Sequence, residues 1–161
     1  MTVRPPQGKD WYVFRSDREA AFFGKKLDSP THAYAVSVIT QLVERTIATP
    51  REFLEFIKQA HQAGIDSARQ TVVENDGILD ESVARYCVRY HVKAEDTGAP
   101  GAGHSPLSMV NYGITCMHPT IPQLLLDVGY SERGRPGELN AELRAEGDGV
   151  VRSLAFTGIG P

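Results

Sequence analysis

No run of 18 apolar residues occurs in this 161-residue sequence, so no helix within it is expected to span a membrane. A concentrated basic stripe is missing too. The 17 Lys and Arg stand against 20 Asp and Glu, with ten basic and eight acidic groups in residues 1–69 and seven and twelve in the rest. That distribution excludes the electrostatic footprint of a nucleic-acid binder. Residues 1–8, Met-Thr-Val-Arg-Pro-Pro-Gln-Gly, lack the apolar centre of a signal peptide. This is expected of a cytoplasmic protein, or of a chain whose targeting segment has been removed. Internal repeats and low-complexity tracts are absent. So are the Gly-x-Ser-x-Gly, His-Glu-x-x-His and P-loop motifs, and Gly98, Gly101 and Gly103 lack the spacing of a dinucleotide fingerprint. The motifs therefore call for no cofactor.

What is present is a globular composition, 41% hydrophobic and 23% charged. The length fits one domain over residues 1–161, with residues 1–10 expected as a flexible N-terminal arm. A chain of this size buries roughly 70% of its unfolded surface and needs neither metal nor disulfide simply to fold. Residues 11–15, Trp-Tyr-Val-Phe-Arg, are β-prone. Residues 17–27, with Ala20, Ala21, Phe22 and Phe23, are predicted helical or irregular. Residues 34–43 are rich in β-branched side chains and predict a strand. The clearest helix signal follows, with Thr49 as N-cap, Pro50 at the first helical position and Glu52 completing a Thr-x-x-Glu capping box. Phe53, Phe56, Ile57 and Ala60 recur at i, i+3, i+4 and i+7, and Gly64 supplies a stop.

Residues 69–74 predict a strand and Asn75-Asp76-Gly77 a turn. Over residues 83–94, Ala84, Tyr86, Val88, Tyr90 and Val92 alternate with Arg85, Cys87, Arg89, His91 and Lys93, the pattern of an antiparallel strand with one buried face. A loop is expected over 95–106 and strands over 107–118 and 124–132. A helix bearing Leu139, Leu143 and Val150, frayed by Gly147 and Gly149, precedes a short strand within 152–157. Consecutive strands with short connections give an α+β fold, a mostly antiparallel sheet packed by helices.

Five segments stand out together: Cys87-Val88-Arg89-Tyr90-His91, Glu95-Asp96, Tyr112-Gly113-Ile114-Thr115-Cys116-Met117-His118-Pro119, residues 49–56 and Tyr130-Ser131-Glu132-Arg133. They resemble a group of uncharacterised proteobacterial envelope lipoproteins, and the resemblance extends over most of residues 32–133. The element order is similar to the PsbP-like α/β sandwich, the fold of an extrinsic photosystem II subunit and of a Ran-binding import factor. The resemblance implies a periplasmic or lipid-anchored envelope protein, non-enzymatic, that binds a protein partner or serves an assembly. It attaches no activity to the chain. The signal peptide and lipid-accepting cysteine of the group have no counterpart in residues 1–161.

Cys87 and Cys116 fall in two successive predicted strands, and three states are open to them. They form a disulfide if the strands pair in register, they stay as free thiols, or they join His91 and His118 as ligands of a tetrahedral zinc ion. Cys87 shares its strand face with Arg85, Arg89 and His91, and Cys116 with Val110, Tyr112 and Ile114, so a bulge or register shift is expected before the sulfurs meet. Cys87 and His91 stand about 13 Å apart along an extended strand, too far for one ion unless the strand bends. The same residues suggest a Cys-His nucleophile whose thiolate Arg85 and Arg89 would stabilise.

Arg133 and Arg135 precede the last helix, whose N-terminus together with two guanidinium groups could hold an anion, with Glu132 and Glu138 opposing it. His32, His61 and His104 are isolated. His61 lies one position past the apolar stripe near the helix C-terminus, where a cation is favoured. Three functions follow: an envelope binding or assembly-accessory protein, a small enzyme using a Cys-His pair, and a cytoplasmic binding domain with free thiols. The envelope reading predicts Cys87 and Cys116 joined across adjacent antiparallel strands in an oxidising compartment.

Overall fold

The computed structural model describes residues 1–99, 103 and 105–157. The loop expected over 95–106 lies partly outside these, Gly101 and His104 included. The elements run β1 (Trp11–Ser16), β2 (Ala20–Lys25), β3 (Ala33–Leu42), α1 (Pro50–Ala63), β4 (Gln70–Leu79), β5 (Cys87–Asp96), β6 (Leu107–Met117), β7 (Leu124–Gly134) and α2 (Ala141–Val151). The strands form one antiparallel sheet in the order β1-β2-β3-β7-β6-β5-β4. Two meanders, β1–β3 and β4–β7, meet where β3 pairs with β7, and α1 carries the chain from the middle of the sheet to its β4 edge. This is the α+β architecture expected from the order of elements. Among the described residues no helix is long and apolar enough to cross a membrane.

α1 begins as its sequence dictates. Thr49 accepts the Glu52 amide at 3.1 Å, while the Glu52 carboxylate takes the Ala48 amide at 3.0 Å and Arg45 at 2.9 Å. Gly64 closes the helix on the Ala60 carbonyl at 2.9 Å. Phe53 and Ile57 are buried against Val88 and Leu125, with Phe56 only half-buried and Ala60 exposed. The apolar stripe is thus narrower than its spacing suggests.

Four local expectations are corrected. Residues 20–25 are a strand rather than a helical or irregular stretch. They lack β-branched side chains, yet pairing with strands on both sides holds them extended. Asn75-Asp76-Gly77 is not a turn. It continues β4, because Asn75 Nδ2 donates to the Lys58 carbonyl of α1 at 3.0 Å and Gly77 sits beneath the Leu54 side chain. The reversal comes later, where the Asp80 amide bonds the Cys87 carbonyl and Asp80 also grips Arg89, so β5 starts at Cys87 and residues 83–86 belong to the connection. Gly147 does not fray α2. A Cβ there would collide with the Tyr34 hydroxyl and the Tyr130 ring, so the glycine lets the helix approach the sheet.

β5 is covered on both faces, against the single buried face expected. Cys87 and Val88 point to opposite sides and both are fully buried. One face carries Val36, Ile114, Leu126 and Val128 under Leu143, Val150 and Val151 of α2. The other packs Val88 and Leu125 under α1. The expected N-terminal arm is pinned to residues 153–155, where Thr2 exchanges backbone hydrogen bonds with Ala155 at 2.8 and 3.0 Å and the Arg4 amide donates to Ser153 Oγ at 2.8 Å. That single bridge stands where a last strand was expected within 152–157.

Candidate functional site

α1 leaves part of its face of the sheet uncovered. A cavity of about 510 Å³ lies between the helix and the middle strands. Phe56, Ile57 and Ile65 form one wall, and Ile39, Val92 and Leu125 rise from the sheet. Two of its polar groups, the Tyr90 and Thr115 hydroxyls, converge on Asp127 of β7. Across the sheet Tyr90 stands opposite Gly113, Gly113 opposite Gly129, and Gly129 opposite Ser37. A Cβ at Gly113 or Gly129 would collide with the Tyr90 hydroxyl, so the two glycines let the phenol lie flat along the sheet. Its hydroxyl donates to Asp127 Oδ1 at 3.2 Å. Thr115, the register partner of Asp127, donates to Oδ2 at 2.5 Å.

Asp127 and Tyr90 line the cavity and keep some exposure, so the desolvation they feel is that of its walls. Burial raises the Asp127 carboxyl to about 6, against the lowering effect of the two hydroxyls. The Tyr90 phenol is pushed well above its ordinary value by burial, and further by the charge on Asp127. The His61 ring lies 4.1 Å from the Tyr90 ring, tilted by 58°. Its Nδ1 is shielded from solvent and has no hydrogen-bond partner among the described residues. Burial lowers the imidazole to about 4. His61 is therefore a neutral wall of the cavity, not the cation that its place near the helix C-terminus suggested.

The residues singled out in the sequence are distributed elsewhere. Cys87 and Cys116 are direct register partners, joined in a disulfide with Cα atoms 4.1 Å apart and both side chains buried. No bulge is needed. In an antiparallel pair directly opposite residues share a face, so the Arg89-His91 side of β5 and the Ile114-Tyr112 side of β6 are one surface. The bridge takes both thiolates out of zinc ligation and out of any Cys-His nucleophile. His91 instead bonds Glu74 through Nδ1 at 2.8 Å and stacks on Tyr112 at 4.3 Å. His118 Nδ1 accepts the Thr120 and Ile121 amides at 3.2 and 3.1 Å. Among the described residues no group of three or more His, Cys, Asp or Glu is placed to hold a metal ion.

Arg133 and α2 lie on opposite faces of the sheet, so Arg133 does not reach the helix N-terminus. Its Nη1 stands 3.6 Å from the fully buried Asp96, which Arg69 also holds with two hydrogen bonds. It borders a second hollow of about 500 Å³ near the β1 edge, with Tyr12 and Phe14. The Arg135 amide donates to Glu138 at 2.6 Å, and the N-terminus of α2 is capped by Asn140, which accepts the Glu142 amide at 2.7 Å. Sequence reading missed Asp127 altogether. The signal available for it was the glycine pair at 113 and 129 beside an aspartate set in the apolar first half of β7.

No family model matches the chain, and no curated protein matches it. Among solved structures it is similar to the solution structure of cyanobacterial PsbP (CyanoP) from Synechocystis sp. PCC 6803, at 11% identity and a TM-score of 0.47. The similarity covers 93% of this chain and 84% of that one. A likeness of that size carries no argument about function.

Proposed function

We propose that this chain is a non-enzymatic binding domain of the cell envelope that takes a small ligand in the cavity beneath α1. The cavity carries the reading. At about 510 Å³, with apolar walls and polar side chains converging at one end, it has the build of a small-molecule site rather than of a packing defect. The buried Cys87–Cys116 bridge supports a setting in an oxidising compartment such as the periplasm. The resemblance to envelope lipoproteins, and the lipid anchor that it would bring, fit the same setting. The test is protein-observed NMR with a panel of neutral, cationic and anionic fragments at about millimolar concentration. Binding is expected to move the resonances of Tyr90, Thr115, Asp127 and His61. A panel in which no fragment moves them would overturn the reading.

A second reading, an accessory domain docked on another envelope protein, is favoured by edge strand β1. Tyr12, Val13 and Phe14 are each more than half exposed there, and an uncovered edge strand offers backbone groups to an added strand. Crosslinking in intact envelopes should give a discrete adduct through residues 12–14 that Val13→Pro abolishes. An unchanged adduct would argue against it.

A further inference from the structure

We infer that the cavity ligand is a small organic ammonium, a primary or secondary amine on an apolar body, with its nitrogen against Asp127. The inference rests on the binding reading above and names the ligand class for that site. Asp127 accepts one hydroxyl on each oxygen, which leaves accepting capacity on both. Among the described residues it takes part in no ion pair, and neither lysine nor arginine lines the cavity. A carboxylate among apolar walls without a counter-charge gains most from an incoming cation. One carboxylate with two hydroxyls suits an N–H donor, whereas a hard metal ion requires several oxygen ligands. An anionic ligand would meet Asp127 directly and be repelled.

The titratable groups lining the cavity are Asp127 from β7, Tyr90 from β5, His61 from α1, and Tyr130, whose hydroxyl is bound to Asp148 of α2 on the far face at 2.8 Å. His61 stays neutral above about 4 and both phenols stay protonated, so Asp127 alone changes charge between pH 5 and 8. Amine binding should follow that one ionisation.

The experiment is a pair of NMR titrations of the whole chain, with benzylamine and with its neutral analogue benzyl alcohol, at pH 8 and pH 5. Benzylamine should bind about tenfold or more tighter than the alcohol at pH 8, the worth of a charge-assisted hydrogen bond. The preference should fall to about threefold or less at pH 5, where most of Asp127 is protonated. Asp127→Asn should abolish the preference at pH 8 and keep the alcohol. Equal affinities at pH 8, or a preference that survives Asp127→Asn, would overturn the ammonium inference and leave the binding site standing. If neither probe moves the cavity resonances, the binding reading itself fails. Should Asp127→Asn not fold, the pH comparison on the native sequence decides alone.

Discussion

Asp127→Asn is expected to stabilise the protein, and only where the carboxyl is ionised. The native state raises this group from 3.8 to about 6 because desolvation outweighs two hydroxyl donors. At about 1.4 kcal/mol per pH unit, that corresponds to about 3 kcal/mol of native-state preference for the protonated form. The folded value lies above the unfolded one, so the stabilising contribution is fully present below about pH 4 and is lost as pH rises through about 6. Asparagine resembles the protonated carboxyl at every pH. Its carbonyl accepts one hydroxyl, and its amide can donate to the other. The variant should therefore gain about 2–3 kcal/mol over the native sequence at pH 8 and almost nothing at pH 4. Equilibrium urea unfolding at pH 4, 6 and 8, followed by far-ultraviolet circular dichroism with unchanged m values, measures the difference. A loss of stability at pH 8, or a gain that ignores pH, would mean that the Tyr90 and Thr115 hydroxyls outweigh desolvation, and the reasoning would be wrong.

Phe53→Ala should cost about 3–5 kcal/mol as a core truncation, because Phe53 is fully buried. Phe56→Ala should cost less than half as much, and chemical denaturation of the two variants will show whether the order is reversed. Reduction of the Cys87–Cys116 bridge opens a loop with a separation of 29 residues and should cost about 3–4 kcal/mol on the chain-entropy account, lowering Tm by about 8–15 °C. Equal melting curves with and without reductant, on protein shown oxidised by thiol titration, would exclude that contribution. Gly113→Ala should cost more than about 2 kcal/mol, since the added methyl meets the Tyr90 ring and the Val128 carbonyl. Combined with Tyr90→Ala it should cost less than the sum of the two, and an additive double mutant would separate Gly113 from Tyr90.

α1 was legible because its information is local: a capping box, a first-position proline and a short apolar period all lie within 16 residues. Cys87 and Cys116 were recognisable as a pair because they fall in consecutive strands, although their faces could be compared only once the register was known. β2 was hidden because Ala20-Ala21-Phe22-Phe23 states no preference that pairing on two sides cannot override. The turn signal at Asn75-Asp76-Gly77 misled for the same reason, since α1 supplies contacts to Asn75 and Gly77 that hold them in a strand. The candidate site was the least legible part. Tyr90 and Asp127 are 37 residues apart, on strands that do not pair directly. Their meeting depends on β6 lying between them with a glycine in that row. His61 depends in turn on where α1 crosses. Each of these is a fact of register and packing, which no window of sequence contains.

The hydrogen-bonded contact of Thr2 with Ala155 has a practical consequence. It brings residues from opposite ends of the chain to one spot, where Val3 and Phe156 pack against the same core as α2. The cavity opens on the other side of the sheet. A label, surface linker or fusion partner attached near either residue would emerge on the α2 side, leaving a layer of β-strands between itself and Asp127. The protein can be immobilised from that side with the cavity mouth facing the solution.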